Sequence, residues 1–161
     1  SVPAMLTRYG YVEDAMKMIT KTEAPSWGYW VETMGYTTLP ETWTLSPEFR
    51  DASLNHVFMG DVSAWMMNQL AGINYDAVEP GFRHILITPH FVERVNWAKG
   101  EYHSVRGLIS SEWKREGGKV TLTVTIPSGC TADIRVGDKT ENHETLFSVV
   151  TVNRMYRFRP C

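Results

Sequence analysis

The side chain best placed to do chemistry is Glu41, which follows Pro40 and precedes Thr42-Trp43 in a stretch crowded with Trp27, Tyr29, Trp30 and Tyr36. A carboxylate can draw a proton from water, and indole or phenol rings offer flat apolar faces with polar edges that suit a sugar ring as well as a protein core. Packing is the commoner fate of such rings, and a single loop Glu is more often solvated than catalytic. Glu32 has a similar neighbourhood, so pattern does not separate it from Glu41. His56, beside Asn55, is the nearest imidazole able to hold a hydroxyl in a cleft formed with this loop, against the commoner role of a capping or core histidine. Asp61 falls on an apolar helical stripe and reads as structural.

Other chemistries find no support. The chain has no glycine-rich phosphate loop, no paired-Cys zinc spacing, no nucleophile elbow and no two-His metal helix. His90 and His103 have no accompanying ligands and read as surface residues, so neither metal nor cofactor is expected. Cys130 and Cys161 lie far apart, which supports no disulfide framework.

The elements that would position Glu41 and His56 change character along the chain. A helix is expected from about Tyr9 to Lys21, with Val12, Ala15, Met16 and Ile19 on one face, closed off by Pro25. Residues Pro25 to Ser46 show no sustained period and are punctuated by Gly28, Gly35 and Pro40, as in a long site-forming loop. A second helix is expected from about Ser53 to Leu70, capped by Asp51 or Ser53 and ending at Gly72, with Leu54, Val57, Phe58, Val62, Trp65 and Leu70 at helical spacing. From Ile73 onward, β-branched residues alternate with polar ones. Strands are expected at about 84–88, 92–99, 108–116, 119–126, 131–136 and 146–152, with Gly117-Gly118 as a two-residue hairpin turn. This is an α+β chain in separate units: helices over 1–75, then an antiparallel β-sandwich over 76–161. Two helices bury their apolar faces poorly alone, so they read as the remainder of a larger helical domain.

Composition limits the partners. Sixteen Lys and Arg against 18 Asp and Glu, a net charge of -2, give no footprint for nucleic acid or an anionic membrane. No apolar run approaches the roughly 20 residues of a membrane span. The start at Ser1-Val2-Pro3 lacks a signal-peptide pattern and an initiator Met, so any leader is expected outside this chain, which reads as a piece of a longer protein; the compartment stays open.

Three blocks carry a resemblance. PSWGYWVETMGYTTLPETW (Pro25–Trp43) resembles the segment of the inverting α-L-rhamnosidases, glycoside hydrolase family 78, that reads PSWGY, then GATT and WE. SLNHVFMGDVSAW (Ser53–Trp65) resembles the SLNH block that follows it there. HILITPH (His84–His90) and NWAKGEYHSVRGLISSEW (Asn96–Trp113) resemble the opening strands of the family's C-terminal sandwich. The order and spacing agree, and the resemblance weakens after about Ile126.

The resemblance implies the last helices of an (α/α)6 barrel continuing into that sandwich. It places the family's general base on Glu41 and its substrate-contacting His on His56, with Trp27, Trp30 and Trp43 as candidate walls of a sugar pocket. The family has Trp immediately before the base where this chain has Pro40, and Trp43 is a partial substitute. An inverting glycosidase needs a second carboxyl group about 6.5–9.5 Å from the first. The family's acid segment, rich in Asp, Arg and Glu before Gly-Trp, is absent between Ser1 and Cys161. The expected activity is hydrolysis of terminal α-L-rhamnosides from a rhamnosylated glycan or glycoside, requiring the rest of the barrel, so this chain alone is expected to be inactive. The alternative is a non-catalytic carbohydrate-binding or structural sandwich module.

Overall fold

The computed structural model describes residues 1–43, 52–136, 146–152 and 156–158, the last two segments by backbone. It divides into two compact units, Ser1–Trp65 and Met66–Cys161.

The first unit is helical. α1 (Val2–Arg8) has a proline in its first turn, where the absent N–H has no helical partner to lose. Gly10, at φ +86°, turns the chain before α2 (Val12–Thr20). The helix expected from Tyr9 to Lys21 is α2, which starts at Val12 because the left-handed turn at Gly10 forbids helical continuation, and α1 lies upstream of the expected range. α2 buries Ala15 and Ile19 and carries Glu13 and Asp14 in its first turn, where they face the positive end of the helix dipole. Trp65 in α3 (Asp61–Trp65) donates its indole N–H to the Thr7 hydroxyl, 2.8 Å away, tying α3 to α1.

The long helix expected over 53–70 is interrupted. Residues 53–56 are not helical; a 3₁₀ turn spans Val57–Gly60, α3 follows, and Met66–Leu70 forms a wider π-helical segment. Of the expected apolar stripe, Val62, Trp65 and Leu70 are buried, whereas Leu54, Val57 and Phe58 are 52%, 87% and 72% exposed. Periodicity reported apolar character there, but only packing decides whether a helix forms and which face is covered. Asp51, a candidate cap, lies outside the described residues.

Among the described residues the second unit carries eight strands: β1 (Ile73–Tyr75), β2 (His84–Ile87), β3 (Trp97–Ser104), β4 (Gly107–Glu116), β5 (Lys119–Thr125), β6 (Thr131–Ile134), β7 (Leu146–Val152) and β8 (Tyr156–Phe158). They form two four-stranded sheets, ordered β1-β2-β6-β8 and β3-β4-β5-β7. Pairs β1·β2, β3·β4 and β4·β5 are antiparallel, as expected. Pairs β2·β6, β6·β8 and β5·β7 are parallel, so the sheets are mixed. The expected hairpin is present: Glu116 pairs with Lys119 across Gly117 and Gly118, whose φ angles of +55° and +77° give the positive-φ pair that a tight turn needs. The unit begins at Met66, upstream of the division expected at 75/76, and Ile73–Tyr75 is a strand of its sheet, too short to show as a pattern. Residues 92–96, expected as strand, lead into β3 as a loop.

One hydrophobic cluster joins both sheets: Ile73, Ile85, Ile87, Ala132 and Ile134 from one, with Ile109, Trp113, Val120, Leu122 and Val124 from the other. The alternation of Val120, Leu122 and Val124 inward with threonines outward is the half-buried strand pattern. Trp113 is fully buried, donates its indole N–H to Leu70 O at 2.7 Å, and meets Phe91 edge-on. Cys130 lies in the same cluster, while Cys161 is outside the described residues.

Arg115 secures the 91–95 loop. Its guanidinium donates to the carbonyls of Phe91, Val92, Glu93 and Val95 at 2.7–3.3 Å and lies 5.9 Å from the centre of the Trp113 ring system. A charged fork donating to several carbonyls is worth more than neutral bonds, and its loss takes one donor from each of them. Arg115→Ala is expected to lower stability by about 2–3 kcal/mol. Arg115→Lys should recover only part of this, because an ammonium lacks the planar fork. The midpoint of urea unfolding measures both.

Candidate active site

The site is assembled within the first unit by two backbone segments lying side by side. Glu41 N–H donates to Ser53 O at 2.9 Å, and His56 N–H donates to Leu39 O at 2.9 Å. Thr38 adds a hydroxyl bond to Leu54 O at 2.7 Å. Pro40 is fully buried between the two bonded residues. An N–H at that intermediate position points away from the partner segment, so proline costs the pairing no donor while fixing φ.

The carboxylate is held by the same device. Ser53 N–H donates to Glu41 Oε2 at 3.2 Å, which leaves Oε1 facing the imidazole, 4.0 Å from His56 Nε2. That separation exceeds a direct hydrogen bond. The His56 and Glu41 side chains are 37% and 44% exposed, so both can meet a solute.

His56 does not sit within a helix. It adopts extended backbone (φ -130°, ψ 135°) and caps the 3₁₀ turn, its Nδ1 accepting from Phe58 N–H at 3.1 Å. A nitrogen that accepts a backbone N–H carries no proton, so the neutral ring has its hydrogen on Nε2, the atom turned toward Glu41. The capping role offered by the sequence is thus filled by Nδ1, while Nε2 faces Glu41.

The three tryptophans of this region come together as a ring cluster. The Trp43 ring stacks on Trp30, with centroids 4.4 Å apart and planes 18° apart, and meets Trp27 edge-on at 4.8 Å. Trp27 and Trp30 are buried at 6% and 2% exposure, whereas Trp43 keeps intermediate exposure. Trp27 donates its indole N–H to Met59 O at 2.9 Å, fastening the loop to the 3₁₀ turn that His56 caps. Glu32, the other loop carboxylate, is exposed on the π-helical turn Tyr29–Thr33 and takes no part in these contacts.

Three positioning residues were not singled out for this purpose by sequence reasoning. Buried Ser26 donates to Lys21 O and Glu23 O and accepts from Tyr29 N–H, fixing the entry to the π-helical turn. Gly28 lies so close to the end of α2 that a Cβ would stand 2.6 Å from Lys21 O. Ser53 supplies both backbone partners of Glu41. The signal for Ser26 and Gly28 was the PSWGY block itself, in which a small hydroxyl residue and a glycine flank a Trp. Among the described residues, no group of three or more His, Cys, Asp or Glu side chains could hold a metal ion.

Residues 2–70 match the family model of the bacterial α-L-rhamnosidase six-hairpin glycosidase domain, and residues 72–148 match that of the bacterial α-L-rhamnosidase C-terminal domain. The chain belongs to the α-L-rhamnosidase family. It is 30% identical over 138 residues to the α-L-rhamnosidase of Streptomyces avermitilis, and 29% identical over 133 residues to that of Formosa agariphila. Each alignment takes in 81% of this chain but only 13% and 14% of the relative's length. The structure of α-L-rhamnosidase from Dictyoglumus thermophilum superposes with a TM-score of 0.76 at 29% identity, covering 88% of this chain and 16% of that one. The Streptomyces avermitilis enzyme complexed with L-rhamnose superposes with a TM-score of 0.74 at 30% identity, covering 82% and 13%.

The tautomer is directly measurable. Nitrogen-15 NMR of the His56 ring at neutral pH is expected to show a protonated Nε2 and a bare Nδ1. The opposite tautomer would remove the assignment of Phe58 N–H as its anchor.

Proposed function

We propose that this chain supplies the general base of an inverting α-L-rhamnosidase, acting on terminal α-L-rhamnose of a glycan or glycoside. Glu41 takes a proton from the water that attacks the anomeric carbon, and the His56 Nε2–H holds a hydroxyl of the same sugar. Trp43 forms part of the wall of the sugar pocket, with Trp27 and Trp30 behind it fixing its plane. The observation that carries this reading is the open juxtaposition of Glu41 Oε1 and His56 Nε2, 4.0 Å apart, with one carboxylate oxygen already satisfied by Ser53 N–H and the other left for solute.

Inversion requires a second carboxyl group to protonate the leaving oxygen, at a distance that leaves room for the water. In this reading that acid lies upstream, outside these 161 residues, together with the other helices of an (α/α)6 barrel. In this reading residues up to about 70 are the end of the barrel, and the remainder, with β1 as its first strand, is the C-terminal sandwich. Support comes from the short span of the relatives that the chain covers and from the exposed Leu54, Val57 and Phe58, an apolar surface suited to further helices. The reaction needs no cofactor, and water and the two carboxyl groups balance every proton.

In the complete protein, Glu41→Gln is expected to lower turnover of an aryl α-L-rhamnoside by at least about 10²–10⁴-fold, the usual contribution of a positioned base, with an unchanged fold. Proton NMR of the first-formed sugar should show the β anomer. Near-normal turnover in the mutant removes Glu41 as base, and initial α-rhamnose removes inversion. The isolated chain should not turn over; if it binds rhamnose without hydrolysis even in the complete protein, the non-catalytic module is the better reading.

A further inference from the structure

The outward face of the sheet β3-β4-β5-β7 carries side chains that the core does not use. Along β3, Ala98 and Gly100 turn inward, and a Cβ on Gly100 would stand 2.6 Å from the Ala71 Cβ. Trp97, Lys99 and Glu101 therefore point outward. On β4, Ile109, Ser111 and Trp113 are inward, leaving Glu112 and Lys114 outward, and on β5 the outward residues include Thr121 and Thr123.

The strand register sets these residues in two neighbouring rows. Trp97 lies opposite Lys114, and Lys114 opposite Thr121; Lys99 lies opposite Glu112, and Glu112 opposite Thr123. Directly opposed antiparallel residues have Cβ atoms about 4.5–5.5 Å apart and project from the same face. Glu112, Lys114, Thr121 and Thr123 line a concavity of about 250 Å³, and Trp97, 62% exposed, lies opposite Lys114 in the strand register. This volume falls below the ~300–1,000 Å³ of drug-sized pockets and suits one small ring.

The charges on this face are matched. Lys99 Nζ lies 2.7 Å from Glu101 Oε1, and Lys114 Nζ lies 3.0 Å from Glu112 Oε1. The hydrogen bond and the opposite charge raise the Lys99 pKa and lower that of Glu101, so both stay ionised near neutrality. Matched pairs offer donors and acceptors without a net field. They give an acidic polymer no attraction, whereas a neutral polyhydroxyl ring can exchange hydrogen bonds with the ammonium, carboxylate and threonine groups while its C–H face lies on an indole.

We propose that this face is a second, non-catalytic saccharide site, in which a neutral pyranose stacks on Trp97 and places its hydroxyls against Glu112, Lys114, Thr121 and Thr123. It stands on the β unit alone and does not depend on the role of Glu41. A site of this kind would hold the protein on a polymeric glycan between hydrolytic events, with an affinity set by one stacking ring and a few hydrogen bonds.

The test is calorimetric titration of the complete protein carrying Glu41→Gln with methyl α-L-rhamnoside, methyl β-D-galactoside, methyl β-D-glucoside, xylohexaose and cellohexaose. At least one probe is expected to bind in a way that survives His56→Ala but is weakened about tenfold by Trp97→Ala, the loss of one stacking contact. Lys114→Met, a second exposed substitution, should weaken the same probe. Hydrolysis of an aryl rhamnoside by the protein with Glu41 intact should be unchanged by Trp97→Ala, separating this site from the proposed catalytic one. The proposal is overturned if no probe binds at millimolar concentration, if binding is indifferent to both Trp97→Ala and Lys114→Met, or if it disappears with His56→Ala while surviving Trp97→Ala.

Discussion

The pairing of Leu39 and Glu41 with His56 and Ser53 is the constraint on which the candidate site depends. Two backbone bonds of 2.9 Å fix the relative position of the loop and the segment before the 3₁₀ turn, and a third donor, Ser53 N–H, reaches the Glu41 carboxylate itself. A carboxylate held only by its own side-chain torsions would sample several rotamers at a cost of about a kilocalorie per mole each way. Tethering one oxygen to a backbone N–H removes that freedom while leaving the second oxygen exposed. The imidazole is treated in the same way: one nitrogen is fixed by Phe58 N–H and the other is left outward. One polar atom of each side chain is thus held by a backbone N–H, while Glu41 Oε1 and His56 Nε2 face each other.

Much of this was legible in the residues. Of the five candidates, Trp27, Trp30 and Trp43 meet in one ring cluster and Glu41 faces His56, because the blocks that carry them are short and each has a local reason for its spacing. Ser26 and Gly28 bend the chain against the end of α2, so that Trp27 and Trp30 reach Trp43. What was not legible is which ring faces solvent, since indoles at 2% and 6% exposure and one of intermediate exposure read alike in a sequence. The same limit misjudged the second helix. Leu54, Val57 and Phe58 have helical spacing and an apolar character, but extended backbone at His56 ends the pattern before the 3₁₀ turn begins.

In the β unit, the hairpin at Gly117-Gly118 and the alternation of β5 were readable because each depends on neighbours in sequence. The parallel pairings β2·β6 and β5·β7 join strands far apart in the chain, and nothing local encodes them. Inward alternation fixes which residues build the core, while the order of strands follows from how the two sheets close over it. The short β1 went unseen for the converse reason: three residues cannot display a period, and its place is set by pairing with β2.

Pro40 ties these observations together. The related α-L-rhamnosidase segment resembled here has Trp immediately before the base, and a proline looks at first like the loss of a sugar-contacting ring. Its burial and its place between two paired residues argue for a different exchange: the ring gives up no hydrogen bond, locks φ and is packed away from solvent. Trp43, stacked on Trp30 and braced by Trp27, then provides an indole close in sequence to the same carboxylate. The stiffness of the proposed base position therefore comes from the backbone, and the aromatic surface is free to come from a neighbouring position in the loop.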